Sequence, residues 1–165
     1  MLESESKKLF LEGIEYFGKK NFILAEEKFE NALKLYPDRI SILDNLAIVY
    51  FKNNNYQKCE IILDKLIELG EDSTKIFDLK FRVLKKLEKI KELKLYINEN
   101  LNSKNLDQKY KIIKSFLYPN FFQDQNSIDK SREEFSQSLD YLTKENNIQL
   151  TLDKDTIDPP IFNLS

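Results

Sequence analysis

The sequence predicts an all-α fold in which paired helices stack into a solenoid, and three observations support that prediction. The chain matches itself when it is shifted by 34 residues, and the matched pairs include Ile14 with Ile48, Tyr16 with Tyr50 and Phe17 with Phe51. Apolar residues recur every three to four positions, which is the period of an amphipathic helix. Three Gly and four Pro in 165 residues leave little material for the turns of a many-stranded sheet. A period in the thirties is typical of helical repeats that bury their apolar faces against their neighbours.

The first repeat, residues 6–39, is predicted to contain two helices. The apolar stripe of the first helix consists of Leu9, Gly13, Tyr16 and Phe17, and that of the second consists of Phe22, Ala25, Phe29, Ala32 and Leu33. Asn21 is the expected N-cap of the second helix, because its side chain can accept a backbone N–H bond there. Pro37 marks the end of that helix. Gly13 and Ala25 are small, so they let the two helix backbones approach closely while neighbouring aromatic side chains fill the volume beside them.

The second repeat, residues 40–73, keeps this pattern. Asn55 is the expected N-cap of its second helix, and Gly70 is the expected exit. The small residues between its helices are Ala47 and Cys59. A free Cys behaves as a small buried hydrophobe, so packing is the expected role of this thiol.

The third repeat, residues 74–102, is degenerate. Its two predicted helices carry the stripes Phe77, Phe81 and Leu84, and Ile90, Leu93, Ile97 and Leu101. Phe81 and Leu93 occupy the places that Gly13 and Ala25 hold in the first repeat. We therefore expect close packing to relax here, as it does at the end of an array.

These repeats resemble the tetratricopeptide repeat (TPR). The residues that carry the resemblance, at their spacings, are Gly13, Tyr16, Ala25, Phe29, Ala32 and Pro37. Leu9 and Glu12 stand where the family usually has a large aromatic residue and a leucine. The resemblance implies that residues 1–104 form a short right-handed α-solenoid of about three helical hairpins. It also implies a protein-protein interaction module that binds a peptide or partner protein on its concave face.

Residues 105–165 differ from the repeats. A helical stripe runs through 105–117 and is broken at Tyr118-Pro119, because a residue before proline is pushed out of the α region. Ser127 is the expected N-cap of a further helix over 127–145. From 148 to 153 apolar and polar residues alternate, and the segment from Ile161 to Ser165 follows Pro159-Pro160 with the character of a strand, so an extended tail is predicted over 148–165. We expect this tail to lead into a domain that the sequence does not contain.

The tail carries a second resemblance. The segments that carry it are Tyr118-Pro119, the helix with Arg132, Phe135 and Leu139, and Pro159-Pro160-Ile161-Phe162. They look like the bridge between repeats and catalytic region in bacterial O-linked N-acetylglucosamine transferases (SPINDLY-like proteins). Asn45 resembles the asparagines that line the concave face of that family, although Leu11 and Leu79 interrupt the ladder here. The resemblance implies an alternative function, namely the N-terminal TPR and linker fragment of a glycosyltransferase that positions polypeptide acceptors.

The composition argues against catalysis by this chain. There is no histidine, which removes the commonest general base, the Ser-His triads and most zinc sites. One cysteine excludes an internal disulfide framework and fits a reducing compartment. The acidic residues fall on polar helix faces among lysines, so solvated surface accounts for them. We therefore expect no catalytic residue, no metal and no cofactor.

The sequence shows no targeting or membrane signal. Its start is acidic and polar, unlike a signal peptide. No apolar stretch approaches the ~20 residues that a membrane-spanning helix needs. We expect a cytoplasmic chain with no membrane partner. A net charge of −2 gives no electrostatic reason to expect nucleic acid.

Two charged segments leave alternatives open. Asp153, Asp155 and Asp158 can in principle hold a divalent cation, but the central glycine and distal glutamate of a calcium loop are missing, so a polar linker is favoured. The segment from 75 to 94 is locally basic and includes Arg82. Solubility, an acidic partner and nucleic acid are three possible roles for it.

The candidate binding site is one edge of the first helix of each repeat. The predicted partner-binding residues are Phe10, Ile14, Phe17, Asn45, Ile48, Phe51 and Arg82. By resemblance to TPR solenoids this edge faces the inside of the curve, where extended peptides are held. Phe10 and Ile14 occupy the usual place of a charged carboxylate clamp, so an apolar groove is expected instead. The alternative is that the chain's own later helices, 105–117 or 127–145, cover this surface.

Overall fold

A computed structural model describes residues 2–103, 108–119 and 122–144, and in these residues every regular element is an α-helix. The helices are α1 (Leu2–Gly18), α2 (Phe22–Leu35), α3 (Ile40–Lys52), α4 (Tyr56–Glu68), α5 (Thr74–Lys86), α6 (Ile90–Ser103), α7 (Gln108–Ser115) and α8 (Gln125–Lys144). The predicted all-α class is confirmed. None of the helices in the described residues has the length and apolar run that crossing a bilayer requires. The chain divides into two compact units, Met1–Leu87 and Glu88–Ser165.

The first unit is built by consecutive packing, with α1 against α2, α2 against α3, α3 against α4 and α4 against α5. Ala25 and Cys59 are fully buried between helices, and Gly13 is buried as well. A Cβ atom added to Gly13 would lie 2.5 Å from Cε1 of Phe29, which is closer than carbon atoms pack. The predicted role of small residues at the contact between helices is therefore confirmed.

The first helix of each hairpin ends in a left-handed residue, and these residues are 34 positions apart. They are Lys20, Asn54 and Glu88, with φ values of 58°, 60° and 57°. After α1 and α3 the same two backbone bonds form a Schellman motif. The N–H of the left-handed residue and the N–H of the next residue each donate to a carbonyl in the last turn of the helix. The backbone thus repeats with the period of the sequence, even after α5, where the side-chain pattern is weak.

Both predicted caps in the repeats hold the N-cap position, but only Asn21 makes the side-chain bond. The Asn21 side chain accepts a bond from the Leu24 N–H at 3.3 Å, as an N-cap does. Asn55 precedes α4, but its side chain makes no capping bond. Its Nδ2 donates instead to both carboxylate oxygens of Glu26, at 3.3 and 3.2 Å. The Asn55 side chain is therefore bound to the Glu26 carboxylate of α2 and not to the backbone at the start of α4. Gly70 has φ +87°, so the predicted exit of α4 is confirmed.

The predicted N-cap of the last helix is wrong. The helix begins at Gln125, so Ser127 lies inside its first turn. Asp124 performs the capping, because its Oδ1 accepts the Ser127 N–H at 2.7 Å. Ser127 Oγ returns the interaction by accepting the Asp124 N–H at 3.2 Å. The two residues form a reciprocal capping box, with Asp124 as the N-cap in place of the predicted Ser127.

The second unit contains α6, α7 and α8, with α6 against α7 and α7 against α8. Phe135 of α8 packs edge-on against Phe116 and Tyr118, with ring centroids 5.5 and 6.1 Å apart. The predicted break at Tyr118-Pro119 is confirmed, since α7 ends at Ser115. The extended tail predicted over 148–165 lies outside the described residues.

Candidate functional site

The candidate site is a partly exposed side of α1, α3 and α5 at the edge of the core of the first unit. These are the first helices of successive hairpins, and residues 34 apart occupy equivalent places on them. We call this surface the odd-helix face. It consists of Phe10, Leu11, Ile14 and Phe17 of α1, Asn45, Ile48, Phe51 and Lys52 of α3, and Leu79, Arg82 and Lys86 of α5.

The α1 part of this face is apolar and partly open to solvent. Leu11 is 56% exposed and Ile14 is 38% exposed. Phe10 and Phe17 are half-buried, and each ring packs on an aromatic ring of α2. The Phe10 and Phe29 centroids are 5.7 Å apart, and Phe17 meets Phe22 edge-on at 5.6 Å. The rings are therefore fixed in place by the hairpin, while Leu11 and Ile14 present bare apolar surface.

The α3 part repeats this arrangement with one polar residue. Phe51 meets Tyr56 edge-on at 5.5 Å, just as Phe17 meets its partner 34 residues earlier. Ile48 is half-buried beside it. Asn45 Nδ2 donates to the Ser41 carbonyl one turn earlier, at 2.8 Å. Part of the hydrogen-bonding capacity of Asn45 is thus used within its own helix.

The α5 part is basic and touches α3. The guanidinium carbon of Arg82 lies 4.7 Å from the centroid of the Phe51 ring. Arg82 is exposed on its other side, and Leu79 packs against the core one turn earlier. The structure therefore brings together two predicted site residues that are 31 positions apart in the sequence.

Solved structures that share this fold include two TPR domains. The first TPR of Spaghetti (RPAP3), solved with the HSP90 peptide SRMEEVD, is 17% identical over 83% of this chain and 94% of its own length, with a TM-score of 0.53. The first TPR domain of human RPAP3, solved by NMR, is 16% identical over 86% of this chain and 97% of its own, with a TM-score of 0.51. The fold is TPR-like. No family model matches the sequence.

These likenesses support the first resemblance but not the second. The helical hairpins expected from Gly13, Ala25 and Phe29 are those of the TPR-like solenoid. The likeness of residues 118–165 to a glycosyltransferase bridge receives no support from them. Residues 145–165 of that segment lie outside the described part of the chain.

Sequence reasoning missed four residues of the odd-helix face. Leu11 and Leu79 were considered only as interruptions of an asparagine ladder, and Lys52 and Lys86 were not connected with the site. The 34-residue register could have found them, because Leu11, Asn45 and Leu79 share one place in the repeat, and Lys52 and Lys86 share another. The register could not have predicted that Leu11 is exposed, since it does not indicate which apolar residues remain uncovered.

An open depression of about 470 Å³ lies on another surface of the TPR-like unit. It is lined by Ile23, Glu26, Glu27, Glu30, Asn53 and Asn55. Asn53 Nδ2 donates to Glu26 at 2.5 Å. Tyr50 Oη and Lys58 Nζ donate to Glu30 at 2.7 and 2.9 Å. These carboxylates are engaged in joining α2 to α3 and α4, which explains them without catalysis.

The ionisation of this network follows from its hydrogen bonds. Burial alone would raise the pKa of Glu30, but the bonds from Tyr50 and Lys58 outweigh it and leave that pKa below its ordinary value. Burial raises the pKa of Tyr50, and the neighbouring Glu30 carboxylate raises it further. Within the described residues, no group of three His, Cys, Asp or Glu side chains is placed to hold a metal ion.

Cys59 occupies a buried position and is not poised for chemistry. Its thiol donates to the Ala47 carbonyl at 3.1 Å across the α3–α4 contact. Burial raises its pKa to about 12, so the reactive thiolate is scarce at neutral pH. Packing accounts for this residue. The Asp153, Asp155 and Asp158 cluster considered as a metal site lies outside the described residues.

Proposed function

We propose that this chain is a protein-interaction module that binds an extended peptide segment on the odd-helix face, without covalent chemistry. The observation that carries the proposal is the exposure of Leu11 and Ile14, two large apolar side chains one turn apart on α1. Contiguous exposed apolar surface marks interaction sites on proteins, and Leu11 and Ile14 lie next to the partly buried rings of Phe10 and Phe17 on the same helix. A TPR domain with the same fold was solved with a bound peptide, which supports the same kind of ligand here.

The energetics of this face favour binding. Apolar surface that a peptide side chain covers contributes about 25 cal/mol per Å². Phe10 and Phe17 are already held by their ring partners on α2, so little conformational entropy is lost when a ligand contacts them. The double substitution Phe17→Ala and Phe51→Ala is a poor test of binding, because both rings also pack against the core.

A sharper test replaces the exposed residues only. We expect Leu11→Ser with Ile14→Ser to weaken peptide binding by at least about tenfold, which corresponds to about 1.4 kcal/mol. The matched control is Ile61→Ser, which removes an isoleucine that is 67% exposed on α4. The measurement is binding of the full chain to an array of short neutral peptides containing leucine, followed by fluorescence anisotropy with the tightest of them.

The outcome distinguishes this proposal from its alternatives. Unchanged peptide affinity in the double variant, with Ile61→Ser also unchanged, would remove the odd-helix face from consideration. If the chain's own later helices cover this face, as the sequence left open, the double variant would lower thermal stability instead.

The glycosyltransferase alternative uses the same face, with a polypeptide acceptor as the bound segment. The linker and the catalytic domain of this alternative depend on residues 145–165, which lie outside the described residues, and on whatever the parent gene encodes after Ser165. It stays a prediction from the sequence alone. A nucleotide-sugar-binding domain encoded downstream would support it, and a stop codon there would remove it.

A further inference from the structure

Some cations of the first unit contact an acceptor and others do not. Those of α2 and α4 each contact an acceptor, namely Lys28 with Glu12, Lys34 with Asn31, Lys58 with Glu26 and Glu30, and Lys65 with Asp38. Lys52, Arg82 and Lys86 form no ion pair with any other described residue. All three belong to the odd-helix face. Lys52 of α3 and Arg82 and Lys86 of α5 are therefore available to a charged ligand, whereas Lys80 of α5 pairs with Asp64.

We call the set Phe51, Lys52, Arg82 and Lys86 the basic corner. Lys86 follows Arg82 by one helical turn, so the two share a stripe of α5. Lys52 is equivalent to Lys86 in the 34-residue register. Contact between the two helices is shown by the Arg82 guanidinium on the Phe51 ring.

The contact of Arg82 with the Phe51 ring has a consequence for recognition. An aromatic ring beside a guanidinium restricts its movement while its N–H groups stay able to donate. Two parallel N–H groups of a guanidinium match the two oxygens of a carboxylate. Because Phe51 already restricts the side chain, less rotamer entropy is lost when a carboxylate binds.

We propose that the basic corner binds the carboxylates of an acidic segment of a partner protein, while an apolar residue of the same segment contacts Leu11 and Ile14. The proposal rests on the proposed function, because the two share the odd-helix face. Because the basic corner is positively charged, we expect the residues of the partner segment that contact α5 to be Asp and Glu. The apolar surface on α1 selects a protein segment over a polynucleotide, which has no comparable side chain to place there. The Phe51 ring is also covered by Arg82 and Tyr56, so it is not open for stacking by a base.

The test compares four probes with the full chain by fluorescence anisotropy. They are a short peptide in which Asp and Glu flank leucine, its Asn/Gln counterpart, its Lys/Arg counterpart, and single-stranded oligothymidylate. We expect the acidic peptide to bind at least about tenfold more tightly than the neutral one at low salt. That advantage should shrink as salt is added, which needs no variant to measure.

Variants then locate the effect. Arg82→Gln should abolish the preference for the acidic peptide, and Arg82→Lys, which keeps the charge but loses the fork, should restore it only in part. Lys52→Gln and Lys86→Gln should each reduce it less. The matched control is Lys34→Gln, an exposed lysine of α2 off this face, which should change nothing. Circular dichroism confirms that each variant is folded.

Every outcome decides the proposal. Equal binding of acidic and neutral peptides, both lost in Leu11→Ser with Ile14→Ser, would overturn it and leave the proposed function standing. Tighter binding of oligothymidylate than of the acidic peptide, lost in Arg82→Gln, would overturn it in favour of nucleic acid. Failure of every peptide to bind would overturn both proposals.

Discussion

At the scale of single residues, Gly13 sets how closely the first two helices approach. The Phe29 ring occupies the place where its side chain would be, 2.5 Å from the position of a Cβ atom. Gly18 belongs to the same helix, yet a Cβ atom there would meet nothing within 4 Å. One glycine of α1 is required by packing and the other is not.

This contrast gives a paired prediction. Gly13→Ala should lower the free energy of unfolding by about 1–3 kcal/mol, since the buried Phe29 ring must move. Gly18→Ala should leave it unchanged or raise it by up to about 1 kcal/mol, because alanine is the better helix former. Urea denaturation followed by circular dichroism measures both. Equal effects of the two substitutions would show that the Phe29 contact does not limit packing.

Cys59 predicts a dependence of stability on alkaline pH. Its pKa is raised from 9.0 to about 12 in the folded chain, so the unfolded chain releases this proton first. The contribution of Cys59 is complete below pH 9 and is lost as the pH rises toward 12. Cys59→Ala, which copies Ala25 of the first repeat, should therefore give a shallower fall in stability over that range. Parallel pH profiles of thermal unfolding for the two proteins would contradict this.

At the scale of elements, the helix ends carry the repeat most faithfully. Left-handed residues close α1, α3 and α5 at 34-residue intervals, although none of them is glycine. The left-handed conformation costs a residue with a side chain about 1–2 kcal/mol, and the cost is smaller for asparagine. Asn54 therefore tolerates its place better than Lys20 does.

Lys20→Gly should consequently stabilise the chain. We expect a gain of up to about 1 kcal/mol, because the relief of the left-handed conformation exceeds the entropy that glycine adds to the unfolded state. Lys20→Ala keeps the Cβ atom and serves as the control, with little change expected. Thermal melting monitored at 222 nm compares the two, and a destabilised Lys20→Gly would show that the turn does not need a flexible residue.

The sequence predicted these elements well and their polar contacts poorly. Helix positions followed from apolar periodicity, which reports burial directly, and Gly13 and Ala25 were identified because small residues have few other reasons to recur. The side-chain capping bonds expected of Asn55 and Ser127 are absent for a different reason. Each polar side chain has several local partners, and the one chosen depends on a neighbour such as Glu26 or Asp124 that periodicity does not place. The same limit applies to the candidate site, where Phe51 was predicted but its contact with Arg82 was not.

At the scale of the whole molecule, the first two hairpins are joined by polar contacts as well as by their core. Glu26 and Glu30 on α2 accept bonds from residues of the second hairpin, among them Asn53, Tyr50 and Lys58. The network sits beside the fully buried core residues of both hairpins. Although burial alone would raise the pKa of Glu30, the bonds that Tyr50 and Lys58 donate hold that pKa below its ordinary value.

Stability should therefore fall in acid. The pKa of Glu30 is lowered in the folded chain, so its contribution is present above the ordinary value of 4.5 and is lost as the pH falls through the lowered folded value. Glu30→Gln should flatten this part of the pH profile of thermal unfolding. Glu27→Gln is the control, because Glu27 lines the same depression but forms no hydrogen bond or ion pair with a described residue. Equal flattening by both would assign the effect to overall charge.

The 34-residue return of the left-handed turn also has a consequence for lengthening the chain. If residues 40–73 were written twice in succession, the copy would bring its own left-handed residue, Asn54, at the end of its first helix. Glu60 holds the place of Glu26, so the duplicated Asn53 and Asn55 would again find a carboxylate across the new junction. The second hairpin thus carries both the amide donors and the carboxylate that a junction between neighbouring hairpins uses. We therefore expect the chain to tolerate lengthening by whole hairpins.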